Sequence, residues 1–351
     1  MSNSKESFAV IMAGGTGTRF WPFSSTSNPK QFIDILGTGQ SLIQMTFDRL
    51  KTSVPKDNIL VVTNEMYRGK VENHLTDLPK ENILCEPFMR DTAPCIAYAN
   101  AVISSRTEGG NPAIVVAPSD HLILNPVEFG RILEVAFEEA LSQSGIVTMG
   151  IKPSRPDTGY GYIKYRGDSE VAKVEEFTEK PDLAAAKKML DSSDYCWNSG
   201  IFVWSLDTIK GEFEKHLPEM ASRFKGTELN GVKGEVDRIY DGCESISIDY
   251  GILEKASEVK VVPSDFGWSD LGTWNSLANH LGDDQGNKTS GVEVMATDSS
   301  GNIIVGSDKK TIAIKSLNDT IIVDTKDALL ICPKTDEQWV KELVGQLKDK
   351  K

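Results

Sequence analysis

Through the first 150 residues, short apolar runs rich in β-branched residues alternate with longer segments of helical period, the pattern of a parallel sheet covered by helices. The runs predict strands at Phe8–Met12, Ile59–Thr63, Ile83–Cys85, Ala113–Ala117 and Ile146–Met149, with helices near Ser41–Leu50, Glu65–Leu75, Ala93–Ser105 and Pro126–Leu141. Four strand–helix steps and a fifth strand predict an α/β fold with a doubly wound, mostly parallel, Rossmann-like sheet, in which ligands bind beyond the carboxyl ends of the strands. Residues 151–280 keep the mixed pattern with longer connections, as expected of a second lobe folded against the same sheet. After Gly282 the character changes. A polar stretch, Asp283–Asn287, leads into short β runs at Asn302–Val305, Thr311–Ile314, Thr320–Val323 and Ala328–Ile331, then an amphipathic helix at about Asp336–Leu347. Their regular spacing predicts a small β-rich unit, either a β-helix or a small sandwich. The expected domains are therefore residues 1–282 and 283–351.

Charge and cysteine usage narrow the function. Against 38 Lys and Arg stand 51 Asp and Glu, a net charge of −13, which excludes a nucleic-acid binder held by a basic field. Phosphorylated substrates stay open, because backbone amides and a few cations suffice for them. Cys85, Cys95, Cys196, Cys243 and Cys332 are scattered without a C-x-x-C pair, and the four histidines form no H-x-x-x-H pair, so a zinc hydrolase is not expected. The polar start and the lack of an apolar run near ~18 residues predict neither export nor membrane anchoring, hence a cytoplasmic protein.

Candidate chemistry begins after the first strand, at Ala13-Gly14-Gly15-Thr16-Gly17-Thr18-Arg19-Phe20-Trp21-Pro22. A dinucleotide fingerprint needs glycine where Phe20 stands, and a Walker loop needs Gly-Lys-Ser/Thr where Arg19-Phe20-Trp21 stand. Both fail. What remains is either a tight strand-to-helix turn or a glycine loop that delivers an arginine to phosphate. Eleven residues after Arg19, Pro29-Lys30-Gln31-Phe32 presents a lysine suited to a second phosphate.

With Pro29-Lys30-Gln31-Phe32 behind it, the glycine loop resembles the opening of the nucleotide-sugar pyrophosphorylases, most closely their mannose-1-phosphate guanylyltransferase branch. Further blocks match in order: Glu86-Pro87 with Arg90-Asp91-Thr92-Ala93-Pro94, Pro118-Ser119-Asp120-His121, Thr158-Gly159-Tyr160-Gly161-Tyr162-Ile163, Phe177-Thr178-Glu179-Lys180-Pro181, Trp197-Asn198-Ser199-Gly200, Ser247-Ile248-Asp249-Tyr250-Gly251 and Gly267-Trp268-Ser269-Asp270-Leu271-Gly272. The series covers residues 8–275. The resemblance implies a Rossmann-like nucleotidyltransferase that joins a sugar 1-phosphate to a nucleoside triphosphate and releases pyrophosphate. A sugar phosphate is already an anionic nucleophile, so positioning and electrostatics are the main terms and no general base is required.

Residue roles follow from the same resemblance. Arg19, Lys30, Asp120, Lys180 and Asp270 are expected to be catalytic, with Asp120 and Asp270 holding Mg²⁺. Read alone, an Asp after a strand is more often a helix cap. Nucleotide binding is expected from Ala13, Gly14, Gly15, Thr16, Gly17, Thr18, Glu86, Arg90, Thr92, Ala93 and Ser119, and sugar-phosphate binding from Gly159, Tyr160, Gly161, Glu179, Lys180 and Asn198. A lone Glu179-Lys180 reads as an exposed ion pair, and Asn198 as a turn residue. Glu86, before Pro87, suits guanine, whose N1–H and N2 amino group a carboxylate accepts together; the alternative is a capping glutamate. Asp91 stands where the family pattern has asparagine.

The expected substrates are GTP and mannose 1-phosphate, with a homodimer formed through the β-rich unit. The alternatives are a guanylyltransferase for another sugar 1-phosphate, such as a fucose, heptose or glucose derivative, and a catalytically silent regulatory homologue. Retention of both metal carboxylates argues against silence. The fused isomerase domain that some members carry is not expected, since no His-rich block follows residue 280.

Overall fold

The first apolar runs form strands because every residue from Phe8 to Ile11 and from Ile59 to Thr63 is buried, as in a sheet covered on both faces. The computed structural model describes residues 7–15, 17–143, 145–167, 169–225, 233–306 and 310–348. It divides into two compact units. One consists of Met1–Gly14, Thr46–Ser119 and Ile123–Trp268, the other of Gly15–Met45, Asp120–Leu122 and Ser269–Lys351.

The first unit is built on a nine-stranded sheet. Its strands are β1 (Phe8–Met12), β2 (Ile59–Asn64), β3 (Ile83–Glu86), β4 (Ala113–Pro118), β5 (Ile146–Ile151), β6 (Tyr162–Arg166), β7 (Ala172–Thr178), β8 (Tyr195–Ser205) and β9 (Val259–Ser264). The order is β3-β2-β1-β4-β8-β5-β9-β7-β6. The parallel ladder expected from the early pattern holds across β3, β2, β1 and β4, with Ile11 opposite both Val61 and Ala117. Beyond it the sheet is mixed. The long β8 runs antiparallel between β4 and β5, so these two predicted strands are not neighbours, and β7 runs antiparallel to β9 and β6. Strand β8 is hard to see in the sequence because Asn198, Ser199 and a Gly200 at φ 69 interrupt its apolar run.

Helices α1 (Leu42–Leu50), α2 (Arg68–His74), α3 (Thr92–Arg106) and α4 (Pro126–Ser142) stand where the periodicity puts them. Helix α2 starts later than expected. The Asn64 side chain accepts from the Met66 amide and sets a 3₁₀ turn over Glu65–Tyr67. Asn125 caps α4 by accepting from the Glu128 amide, with Pro126 in the first turn. Helix α3 is apolar on nearly all sides: Ala93 to Asn100 are buried in a core that includes Val10, Leu60, Val116, Phe202 and Trp204.

The second unit has its own core. Its strands are β10 (Gly282–Asp284), β11 (Asn287–Ser290), β12 (Glu293–Thr297), β13 (Ile303–Gly306), β14 (Thr311–Lys315), β15 (Thr320–Asp324) and β16 (Leu329–Pro333). Parallel pairing joins β11 to β13, β13 to β15, and β12 to β14. Ile303 lies opposite Ile321 and Glu293 opposite Thr311, an 18-residue step in each case, so one step is one coil and the β-helix alternative is the one realised. A buried asparagine ladder holds the corner. Asn302 donates from Nδ2 to Asn287 Oδ1 at 2.8 Å and to the Leu317 carbonyl at 2.8 Å, and its Oδ1 accepts from the Thr320 amide at 3.0 Å.

Phe20, Ile33, Ile35 and Leu42 from the early segment pack in this core with Trp274, Ile303, Val305, Ile321 and Val323. Large apolar side chains from distant segments thus share one core, and each packing unit is discontinuous in sequence.

Candidate active site

In the second unit, the glycine loop is buttressed by the Pro29–Phe32 segment. Gly17 adopts φ +56, and a Cβ there would lie 2.6 Å from Lys30 Cβ. Gln31 Nε2 donates to the Gly15 carbonyl at 2.9 Å, and Ser24 Oγ donates to the Gly17 carbonyl. Glycine is thus required at 17 both by backbone conformation and by the close approach of Lys30. Gly17→Ala is expected to cost about 1–2 kcal/mol from the left-handed backbone alone, with more from the clash, and a lower melting temperature in calorimetry checks it.

Lys30 is the centre of this part. Its ammonium lies 2.7 Å from Asp120 Oδ2, and it donates to the backbone carbonyls of Asp270 at 2.7 Å and Leu271 at 3.2 Å. Its side chain is only 6% exposed against 31% for Asp120. The three ammonium protons match these three acceptors, so Lys30 organises the two aspartates.

Asp270 Oδ1 accepts from the Gly272 amide at 2.9 Å, and a Cβ on Gly272 would lie 2.5 Å from Asp270 Oδ2. Leu271 between them holds φ 44, an uncommon conformation for leucine, with its side chain fully buried. Burial would raise the Asp120 carboxyl, but Lys30 and His121 outweigh it and hold it below its ordinary range. The carboxylate oxygens of Asp120 and Asp270 are hard donors of the kind Mg²⁺ takes, so the donor set fits that ion. Arg19 and Thr18 lie in the 3₁₀ turn Thr18–Phe20, with Arg19 exposed and Thr18 half-buried. Thr16 lies outside the described residues.

In the first unit the expected residues form two groups. Ala13 and Gly14 follow β1; the Ala13 amide donates to the Val62 carbonyl at 2.8 Å, and its carbonyl accepts from Thr63 Oγ1 at 2.9 Å. Ser119, after β4, is fixed by donation of its amide to the Met12 carbonyl at 3.0 Å. Glu86 ends β3 and is 4% exposed; a Cβ on Gly14 would lie 3.6 Å from its Oε2. Burial raises its carboxyl to about 7, against the lowering effect of a hydrogen bond from Tyr240.

Thr92 and Ala93 open α3, where the Thr92 hydroxyl accepts from the Ile248 amide at 2.8 Å and the Ala93 amide donates to the Ile246 carbonyl at 3.1 Å. Both groups are engaged within the fold. Asp91, the departure from the family pattern, sits at φ 69 with its carboxylate accepting from the Thr92 amide. Arg90 stacks its guanidinium over Phe88 at 5.7 Å.

The second group surrounds Gly161. A Cβ there would lie 2.6 Å from Glu179 Oε2 and 3.5 Å from Asn198 Cβ, so glycine lets these two side chains close in. Asn198 donates its amide to the Gly161 carbonyl at 2.8 Å and its Nδ2 to Asp249 Oδ1 at 2.9 Å, while its Oδ1 accepts from the Gly200 amide at 3.1 Å. Lys180 lies 2.7 Å from Glu179 Oε1 and is largely exposed. Gly159 donates to Asp157, and the Tyr160 ring packs edge-on against Trp197 and Trp268 at 5.1 and 5.2 Å.

Sequence reasoning assigned no role to Asp249 or Tyr240. Burial raises Asp249 to about 6, countered by Asn198 and reinforced by Glu179. It lies in the Ser247–Gly251 block and opens a π-helical turn, Asp249–Leu253, a geometry common at functional sites. The sequence carries no signal for Tyr240, one aromatic residue in the polar helix Lys233–Asp241.

Among the described residues, no helix is long and apolar enough to cross a membrane. Comparison with known proteins gives the lineage. The nucleotidyl transferase family matches residues 8–285, and the MannoseP isomerase/GMP-like β-helix domain family matches residues 292–347. The xanthan biosynthesis protein XanB of Xanthomonas campestris pv. campestris is 38% identical over 97% of this chain and 73% of its own length. A mannose-1-phosphate guanylyltransferase of Escherichia coli is 34% identical over 96% of this chain and 75% of its own. The crystal structure of a Thermus thermophilus protein named mannose-1-phosphate geranyltransferase superposes with a TM-score of 0.88 at 28% identity, covering 98% of this chain and 99% of that one. By family match, identity and coverage, the chain belongs to the nucleotidyl transferase family, among relatives that include mannose-1-phosphate guanylyltransferases.

Proposed function

We propose that this nucleotide-sugar pyrophosphorylase transfers GMP from GTP to α-D-mannose 1-phosphate, giving GDP-mannose and pyrophosphate. The observation that carries the reading is the tie made by Lys30, which holds the Asp120 carboxylate and the Asp270 backbone on one ammonium. A chain that only bound ligands would have no need to organise two oxygen-donor aspartates in this way. The names of the relatives point to the sugar and the nucleotide.

In the proposed reaction an oxygen of the sugar phosphate attacks the α-phosphorus of GTP in line. The bond from that phosphorus to the bridging oxygen breaks, and pyrophosphate leaves with the electron pair. Asp120 and Asp270 would hold Mg²⁺, which supplies charge neutralisation on the phosphates when bound. Arg19, in its 3₁₀ turn, supplies a bidentate cation for phosphate oxygens. Lys180 serves the sugar phosphate, and Glu179 and Asn198 bind sugar hydroxyls, with Asn198 held by Asp249. No side chain has to remove a proton from the nucleophile.

Glu86 is the reader of guanine, as a buried carboxylate beside Gly14. A panel of GTP and UTP against mannose, glucose and fucose 1-phosphates, followed by pyrophosphate release, tests the assignment. GTP with mannose 1-phosphate is expected to be the best pair. Glu86→Gln should cut the preference for GTP over UTP by roughly 5- to 150-fold, the worth of one bidentate base contact. Turnover with UTP and none with GTP overturns the reading.

A further inference from the structure

Tyr240 is fully buried and places its hydroxyl between two acceptors, Glu86 Oε1 at 2.9 Å and the Pro94 carbonyl at 3.1 Å. Its ring has little freedom to turn away, since Tyr98 packs edge-on at 6.1 Å and Phe224 at 6.0 Å. A phenol has one proton to give. When Glu86 is ionised, the charged carboxylate is the stronger acceptor and takes that proton, while Pro94, inside α3, keeps the helix ladder's own donor. When Glu86 carries a proton, the acid donates to the Tyr240 oxygen and Tyr240 turns its proton to Pro94. The direction of the chain therefore reverses with the charge on Glu86.

The two states offer different edges to a base. An ionised carboxylate accepts from two adjacent donors, as guanine presents them at N1 and N2. Uracil presents one N–H between two carbonyl acceptors, which repel a carboxylate and accept from the neutral acid. We propose that Tyr240 is a positioning residue for base choice: by giving its single proton to Glu86 rather than to Pro94, it holds Glu86 in the ionised state that selects guanine over uracil. This rests on the reading of Glu86 as the base-contacting residue.

Other titratable groups around Glu86 do not supply the charge. Burial pushes the Cys95 thiol and the Tyr240 phenol well up, and the Tyr98 phenol up to about 12, so all three stay neutral near pH 7; Asp91 at the start of α3 and Glu65 beside Cys85 add only negative charge, and Arg68 is the cation felt at Tyr98. Burial holds Glu86 near 7, and the Tyr240 hydrogen bond works against it. Loss of that bond moves the transition to higher pH.

The test is the ratio of kcat/KM for GTP to that for UTP between pH 5.5 and 8.5, since the ratio cancels ionisation of the phosphates. For the unaltered protein it should rise with pH, by up to about tenfold per unit, and level off above about 7. Tyr240→Phe, which keeps the ring, should move the transition at least half a unit upward and lower the ratio at pH 7 about three- to tenfold. Glu86→Gln should give a low, flat ratio. A Tyr240→Phe profile that overlays the unaltered one, with Glu86→Gln low and flat, overturns the role of Tyr240 and leaves the base reading standing. A Glu86→Gln protein that keeps both the preference and its pH dependence overturns the base reading itself. Carbon NMR of ¹³C-glutamate-labelled protein, with the Glu86 signal assigned by Glu86→Gln, gives a readout independent of activity and of whether Tyr240→Phe folds. A midpoint near the ordinary carboxylate value, about 4.3, also overturns the proposal.

Discussion

Asp270→Asn is expected to lower turnover by about 10²–10³ while leaving the fold intact, the scale measured when one preorganised electrostatic group is removed from a polar transition state. The substitution is close to isosteric, and two contacts explain why structure should survive. The amide oxygen can still accept from the Gly272 amide, as Asp270 Oδ1 does at 2.9 Å. Lys30 binds the backbone carbonyl at this position, so that tie at 2.7 Å is untouched. What disappears is one negative charge and one strong oxygen donor for Mg²⁺. Pyrophosphate release measured against Mg²⁺ concentration should therefore show a lower maximum and a higher half-saturating Mg²⁺, with an unchanged melting curve. Near-normal turnover at ordinary Mg²⁺ would remove Asp270 from the metal site.

The elements legible in the sequence are those with a local cause. Strands β1, β2 and β4 are runs of largely buried residues in which β-branched side chains recur, and helices such as α4 carry local caps, here Asn125, so position and type follow from pattern alone. Strand β8 has no such signature, because its antiparallel place in the middle of the sheet depends on partners more than 30 residues away, with Val203 opposite both Val115 and Val147.

The candidate site divides in the same way. Arg19, Asp120 and Asp270 stand out by motif. The work of Gly17 and Lys30 emerges only when the space for a Cβ at Gly17 is seen to end 2.6 Å from Lys30. Tyr240 is invisible, and Asp249 stands out only as part of the Ser247–Gly251 block without a role of its own, for a plainer reason: each acts through a hydrogen bond to a residue far along the chain, Glu86 and Asn198 respectively, and a lone phenol or carboxylate carries no spacing rule.

Lys30→Met should damage stability and catalysis together, and the two effects separate in a double-substitution cycle with Asp120→Asn. Methionine fills the stem volume but leaves Asp120 as a carboxylate without its ammonium, and the Asp270 and Leu271 carbonyls without their donor. Breaking a fully buried pair costs about 3–5 kcal/mol. Asp120 is 31% exposed, so about 2–3 kcal/mol is expected here.

The sign with pH follows from the depressed Asp120 carboxyl. Its stabilising contribution is fully present above the unfolded value, about 3.9, and is lost as pH falls through the lower folded value. In Lys30→Met, burial is no longer outweighed by the lysine, so the carboxyl moves up and acid should relieve the variant rather than harm it. Urea unfolding should thus show the largest gap between the two proteins near neutral pH and a shrinking gap below about pH 4. Asp120→Asn added to Lys30→Met should restore much of the stability, because the uncompensated charge is gone, yet restore none of the turnover, because the carboxylate proposed to hold Mg²⁺ is gone as well. Recovery of both would make Lys30 and Asp120 a purely structural pair; recovery of stability alone identifies an ion pair that holds a catalytic carboxylate in place.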